Sequence, residues 1–182
     1  MVMYFMKPSL IPPLRACTPG AKYAVPAAGW VGDNSPMSEP APNSVATATL
    51  NVGKADLASA ITTDPGDAFP DVLATARLVA LLEIAASRVI KPHLGPGELS
   101  VGVSVDIVHT AATPPGATVT ATARLTGREG KLFVFEVAAQ DGGGEIGRGT
   151  HRRAIISQQR LLDGAQRRNA ATVPPEKGAP PG

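Results

Sequence analysis

Three features of the sequence predict an α+β fold, in which one long helix covers the apolar face of an antiparallel sheet. The first is "PDVLATARLVALLEIAASRVI" (70–90), whose apolar residues recur at helical spacing between Pro70, suited to a first turn, and Pro92, a stop. The second is a series of four alternating segments after it, "ELSVGVSVDIVHT", "ATVTATARLT", "KLFVFEVAAQ" and "EIGRGTHRRAIIS". The third is what lies between them: "PPG", "GREG" and "DGGG" are turn signals for hairpins. A sheet this apolar on one face needs a cover, and the helix is the one long candidate.

Taken in order, residues 1–44 hold Pro8, Pro12, Pro13, Pro19, Pro26, Pro36, Pro40 and Pro42 with no sustained periodicity, and read as a disordered tail. Met37 opens "MSEPAPNS", an alternative start of translation to Met1. The alternating "ATATLNV" (46–52) predicts a first strand, followed by the helix and the four strands, so that 45–158 is the folded domain. Residues 159–182 are expected to form a short helix around "QQRLLDGAQRR" and then a disordered tail ending "VPPEKGAPPG".

Composition excludes several classes. The formal net charge is +2, and residues 46–156 hold 10 Lys and Arg against 11 Asp and Glu, so the folded part is close to neutral and offers no dedicated nucleic-acid surface. No apolar run approaches the roughly 20 residues needed to span a bilayer, so no membrane partner is expected. "MVMYFM" is cut short by Lys7 and Pro8 and makes no signal-peptide core. A single cysteine, Cys17, permits no internal disulfide and no cysteine-based metal motif, which points to a reducing, cytoplasmic setting.

On a helical wheel Arg77 and Arg88 fall within about 20° of each other, with Leu81 and Ile84 between them, and mark the expected exposed stripe. Glu83 lies roughly 130° away among Val72, Ala76, Val79, Ala80 and Ile90, with Thr75 about 80° from it. A carboxylate on the buried side is either a structural group satisfied by a neighbour or one put to use. In "VGVSVDIVH" the period of two places His109 with Val101, Val103, Val105 and Ile107, facing the helix, and Gly102, Ser104 and Asp106 on the other side. His109 is thus a packed core histidine or a proton carrier. His93 reads as a surface or cap residue, and His151 as one near a pocket at most. A Glu83–His109–His151 metal set has no HxxxH or HxH spacing behind it, so neither metal nor cofactor is expected. "DGGGEIGRG" follows no βαβ pattern and is not a phosphate loop, and the absence of GxSxG disfavours a serine hydrolase.

"FPDVLATARLVALLEIA", "HTAATPPGATVTATARL" and "EVAAQDGGGEIGRGTHRRAII" closely resemble the fluoroacetyl-CoA thioesterase family of hotdog-fold enzymes, over roughly residues 48–158. The spacing of Thr75, Glu83 and His109 matches that family's catalytic threonine, glutamate and histidine. The resemblance implies a sheet wrapped around the helix and a homodimer with active sites at the subunit interface. It further implies that Gly102 and Arg153 contact the acyl-CoA substrate and that Phe69 is one of two lid phenylalanines. The second falls on Gly66, which supplies no aromatic surface at the acyl end. The implied activity is hydrolysis of a short or medium acyl-CoA, with Glu83 as nucleophile or base, His109 moving protons and Thr75 orienting by hydrogen bonding. Arg153 would grip a CoA phosphate or hold the interface. Two other readings stay open on residue types alone: a hotdog hydratase or dehydratase, and a non-catalytic acyl-CoA binding module.

Overall fold

A computed structural model describes residues 39–64 and 66–170. The expected disorder at 1–38 and beyond 170, and the start at Met37, lie outside the described residues. Residues 39–44 are held against the sheet: Asn43 N–H donates to Leu125 O (3.0 Å), and Leu125 N–H to Ser44 O (2.9 Å).

Five strands form one antiparallel sheet: β1 (Val45–Asn51), β2 (Glu98–His109), β3 (Thr118–Glu129), β4 (Leu132–Asp141) and β5 (Gly144–Ser157), in the order β1-β3-β4-β5-β2. β3, β4 and β5 are joined by the hairpins expected from "GREG" and "DGGG", with Gly130 at φ 60° and Gly144 at φ 121°. β2 crosses to the far edge beside β5. A register shift in each of the pairs β2–β5, β3–β4 and β4–β5 adds twist and curls the sheet around the helix α1 (Thr75–Ile90). A second helix, α2 (Gln158–Ala170), continues from β5 and buries none of its residues.

The helix begins five residues later than Pro70 predicts. Residues 70–73 are claimed by the chain that precedes them: Ala58 N–H donates to Val72 O (2.8 Å), Ser59 N–H to Pro70 O (3.3 Å), and Leu57 bridges Leu73. Leu73 N–H also donates to Thr113 O (2.9 Å), which keeps 70–73 out of the helix and moves the N-cap to Ala74. Pro92 ends the helix in a short 3₁₀ turn, Lys91–His93.

The buried stripe of α1 is Leu78, Leu81, Leu82, Ala85, Ala86, Val89 and Ile90, packed chiefly on β1 and β3 and facing Val119, Ala121, Ala123, Phe135 and Val137. Leu81 therefore belongs to the core, contrary to the wheel reading. The arginines line one flank: Arg77 pairs with the buried Asp56 (2.6 Å), and Arg88 donates to Thr47 O on β1 (2.6 Å). Glu83 lies on the opposite flank, toward β2, and its side chain is 39% exposed rather than buried. With the helix shifted toward β1, the β5–β2 side of the sheet is left to polar side chains.

Candidate active site

His109 closes β2, and its ring faces the start of α1, where its Nδ1 lies 3.0 Å from Thr75 Oγ1. Thr75 is the first helical residue, so its hydroxyl stands beside first-turn N–H groups that have no intrahelical acceptor. His109 Nε2 is fully occluded and has no hydrogen-bond partner among the described residues. Opposite His109 on β5 is Gly147, where a Cβ would lie 2.7 Å from Val108 O, so the close strand approach behind the histidine needs glycine.

Glu83 is elsewhere. Eight residues of helix separate it from Thr75, about 12 Å along the axis. Its carboxylate sits over Gly102, where an added Cβ would fall 2.1 Å from Glu83 Oε1 and 3.1 Å from His151 Cε1. Gly102 and His109 are seven residues apart on β2, roughly 20 Å of extended chain. The expected convergence of Thr75, Glu83 and His109 is thus realised for Thr75 and His109 alone within one chain, and Glu83 belongs to a second cluster.

A β-bulge in β2 explains that cluster. Gly102 pairs with Arg153 and Ser104 with Arg152, leaving Val103 as the extra residue. The insertion reverses the alternation: Ser100 and Gly102 share the helix-facing side with Val105, Ile107 and His109, while Val101 turns outward. The strict period of two placed His109 on the correct face and Gly102 on the wrong one. On β5 the matching inward set is Gly147, Gly149, His151 and Arg153, with Arg148, Thr150 and Arg152 outward.

His151 and Arg153 are 1% and 5% exposed. His151 Nδ1 lies 2.8 Å from Ser104 O, and its Nε2 lies 3.1 Å from Arg153 Nη1 and 3.9 Å from Glu83 Oε1. Arg153 donates further to Ser100 Oγ (3.2 Å), Ser100 O (2.8 Å) and the Glu83 carbonyl (3.4 Å). Burial pushes the His151 pKa below the ordinary imidazole value, and the Arg153 charge pushes the same way against the opposing pull of Ser104 O and Glu83. Burial also lowers Arg153, opposed by Glu83. Arg153 spends its donors on internal partners, so its geometry is that of a buried brace rather than a solvent-facing phosphate grip. His151, read from the sequence only as a residue near a pocket, sits here beside Glu83; Ser100 and Ser104 were not singled out in sequence, and the H-x-R alternation of "GTHRR" was the available signal.

Phe69 is 50% exposed. It follows a turn in which Gly66 N–H donates to Asp64 Oδ1 (2.8 Å) and Thr62 Oγ1 to Asp67 Oδ2 (2.5 Å). Among the described residues no group of three His, Cys, Asp or Glu is placed to hold a metal ion, and no helix is long and apolar enough to cross a membrane.

The model of the family described as fluoroacetyl-CoA-specific thioesterase (FlK) matches residues 52–159. A curated fluoroacetyl-CoA thioesterase of Streptantibioticus cattleyicolor is 50% identical over 93 residues, covering 51% of this chain and 67% of the relative. The solved structure of FlK superposes with a TM-score of 0.67 at 37% identity, covering 74% of this chain and 98% of that one. A hot-dog-like protein from Thermanaerovibrio acidaminovorans, 22% identical over 70% of this chain and 91% of its own, shares the fold with a TM-score of 0.61. With more than half of its residues matched by that family model, a hotdog architecture and a thioesterase relative 50% identical over 93 residues, the chain belongs to the fluoroacetyl-CoA-specific thioesterase family.

Proposed function

We propose that this protein hydrolyses a short acyl-CoA as a homodimer, each site combining Thr75 and His109 of one protomer with Glu83 of the other. The observation that carries this reading is the separation of two incomplete halves along β2: an occluded His109 Nε2 without a partner among the described residues, and the partly exposed Glu83 carboxylate over Gly102, seven residues away. β2 is a sheet edge of 12 residues with Val103, Val105 and Val108 exposed, the kind of edge a second copy covers. Antiparallel pairing of β2 with its own copy, centred between Gly102 and His109, brings the Gly102 end of one strand beside the His109 end of the other. A C2 axis then completes two sites at once.

The chemistry needs an attacking oxygen, an oxyanion site and a proton for the leaving sulfur. Glu83 takes a proton from water as the new C–O bond forms at the thioester carbon. First-turn N–H groups at Thr75 and Ala76 face the developing oxyanion. As the C–S bond breaks, the proton that Glu83 took from water passes through His109 Nε2 to the CoA sulfur while the His109 Nδ1–H donates to the Thr75 hydroxyl oxygen, so the carboxylate and the neutral imidazole are both regenerated. Gly66 in place of a second lid aromatic leaves Phe69 alone at the acyl end, which favours a broader short-acyl range over strict fluoroacetyl selectivity. A cytoplasmic setting is part of the same reading, since Cys17 leaves the chain without an internal disulfide.

A panel of acyl-CoAs incubated with a thiol reagent tests the activity. Release of free CoA, fastest for short acyl groups, is expected. Hydration of an enoyl-CoA without CoA release, or tight binding without turnover, would overturn the reading.

A further inference from the structure

The buried histidine of the second cluster has its proton placement dictated by its neighbours. Ser104 O can only accept, so Nδ1, 2.8 Å away, carries a hydrogen. The Arg153 guanidinium can only donate, so Nε2, 3.1 Å from Nη1, presents its lone pair. The ring is also packed on Phe135, with centroids 6.5 Å apart. The charged groups facing it are Glu83 from α1 and Arg153 from its own strand, while β2 and β4 present Ser104, Val105 and Phe135.

We propose that His151 is a positioning residue for the reaction: as the neutral Nδ1–H tautomer, it anchors Arg153 through Nε2 and so keeps the Glu83 carboxylate uncommitted. This rests on Glu83 being the reacting carboxylate. Arg153 Nη1 already bonds the Glu83 carbonyl at 3.4 Å, and Glu83 Oε1 lies 3.9 Å from His151 Nε2 across the gap left by Gly102. The lone pair of Nε2 and the carboxylate therefore compete for the same guanidinium edge. Remove the lone pair and the nearest acceptor for Nη1 is the carboxylate, which a charge-assisted Arg–Glu pair would hold away from substrate. Protonating Nε2 has the same consequence by another route, since a histidinium would itself pair with Glu83.

Two variants separate this from a packing role. His151→Asn retains a donor toward Ser104 O but no acceptor for Arg153, whereas His151→Gln places an amide oxygen near the Nε2 position. The expected result is a fall in kcat of up to about 100-fold for His151→Asn with KM nearly unchanged, and a loss below about tenfold for His151→Gln. Equal losses in both, or a folded His151→Asn with wild-type kcat, would overturn the proposal. A readout independent of activity comes from the unaltered protein labelled with 15N-histidine, whose three histidines are assigned with the His109→Gln and His151→Gln variants. His151 is expected as the neutral Nδ1–H tautomer at neutral pH, set by its partners Ser104 O and Arg153 Nη1; an Nε2–H tautomer or a charged ring at neutral pH would refute the assignment. Should His151→Asn fail to fold, this spectrum decides alone. A wild-type protein that releases no CoA from any acyl-CoA defeats the thioesterase reading and leaves the spectrum standing.

Discussion

The two polar clusters along β2 are built in opposite ways. Near its Gly102 end, both ring nitrogens of His151 have partners, and Arg153 alone makes contacts to Ser100, His151 and the Glu83 backbone. At its His109 end the ring bonds Thr75 through Nδ1, and its occluded Nε2 has no partner among the described residues. A saturated buried network specifies a shape, while an orphaned buried nitrogen signals a missing neighbour. One cluster is finished and presents a carboxylate; the other is unfinished and lacks one.

The largest effect that separates the clusters is on rate. Glu83→Gln and His109→Gln should each lower CoA release by about 10²–10⁴-fold, with melting temperature nearly unchanged, because proton transfer acts only in the transition state. Near-wild-type hydrolysis by a folded His109→Gln protein would leave the histidine as packing. Replacing both Val103 and Val108, the most exposed valines of this edge and opposite each other in the proposed pairing, by Lys should place like charges face to face between the protomers and convert dimer to monomer by light scattering, with activity falling in parallel. An active monomer would sever the link between assembly and chemistry.

Gly102→Ala is a narrower probe of the saturated cluster. The added Cβ, 2.1 Å from Glu83 Oε1, forces the carboxylate aside, so kcat should drop by up to about 100-fold while circular dichroism stays native. The smallest effect is on stability. Burial depresses the His151 pKa, so between that lowered value and about 6.5 the unfolded chain binds a proton that the folded chain does not. Stability should therefore fall as pH drops through this window, and His151→Gln should flatten that part of the melting-temperature profile. An unchanged slope would mean that the acid sensitivity originates elsewhere.

What the chain reveals before it folds depends on whether a feature is local. The strand pattern and hairpin turns are written in consecutive residues, and they appear in the structure close to where "GREG" and "DGGG" place them. The start of α1 is not local: Pro70 is a good first-turn residue, but hydrogen bonds from Ala58 and Ser59 N–H, and from Leu73 N–H to Thr113 O, hold 70–73 outside the helix. The wheel identified a stripe between Arg77 and Arg88 as exposed, yet those arginines are drawn to Asp56 and Thr47, and Leu81 is buried between them. In β2 a single bulge residue, Val103, overturns a period-two reading for everything before it. His109 was legible because it lies beyond the bulge; Gly102 was not. His151 and Arg153 share the inward face of β5 two residues apart, a pattern visible in "GTHRR" only once β5 is known to lie against the bulged edge.

The central claim is that each site draws Thr75 and His109 from one chain and Glu83 from its partner. Glu83→Gln and His109→Gln proteins, each inactive alone, can be mixed, exchanged by mild denaturation and refolded together. If the site is shared, half of the random dimers regain one complete site of two, and CoA release should return to about a quarter of the wild-type rate. If all three residues act within one chain, every site in the mixture lacks one of them, and activity would stay at the level of the separate variants.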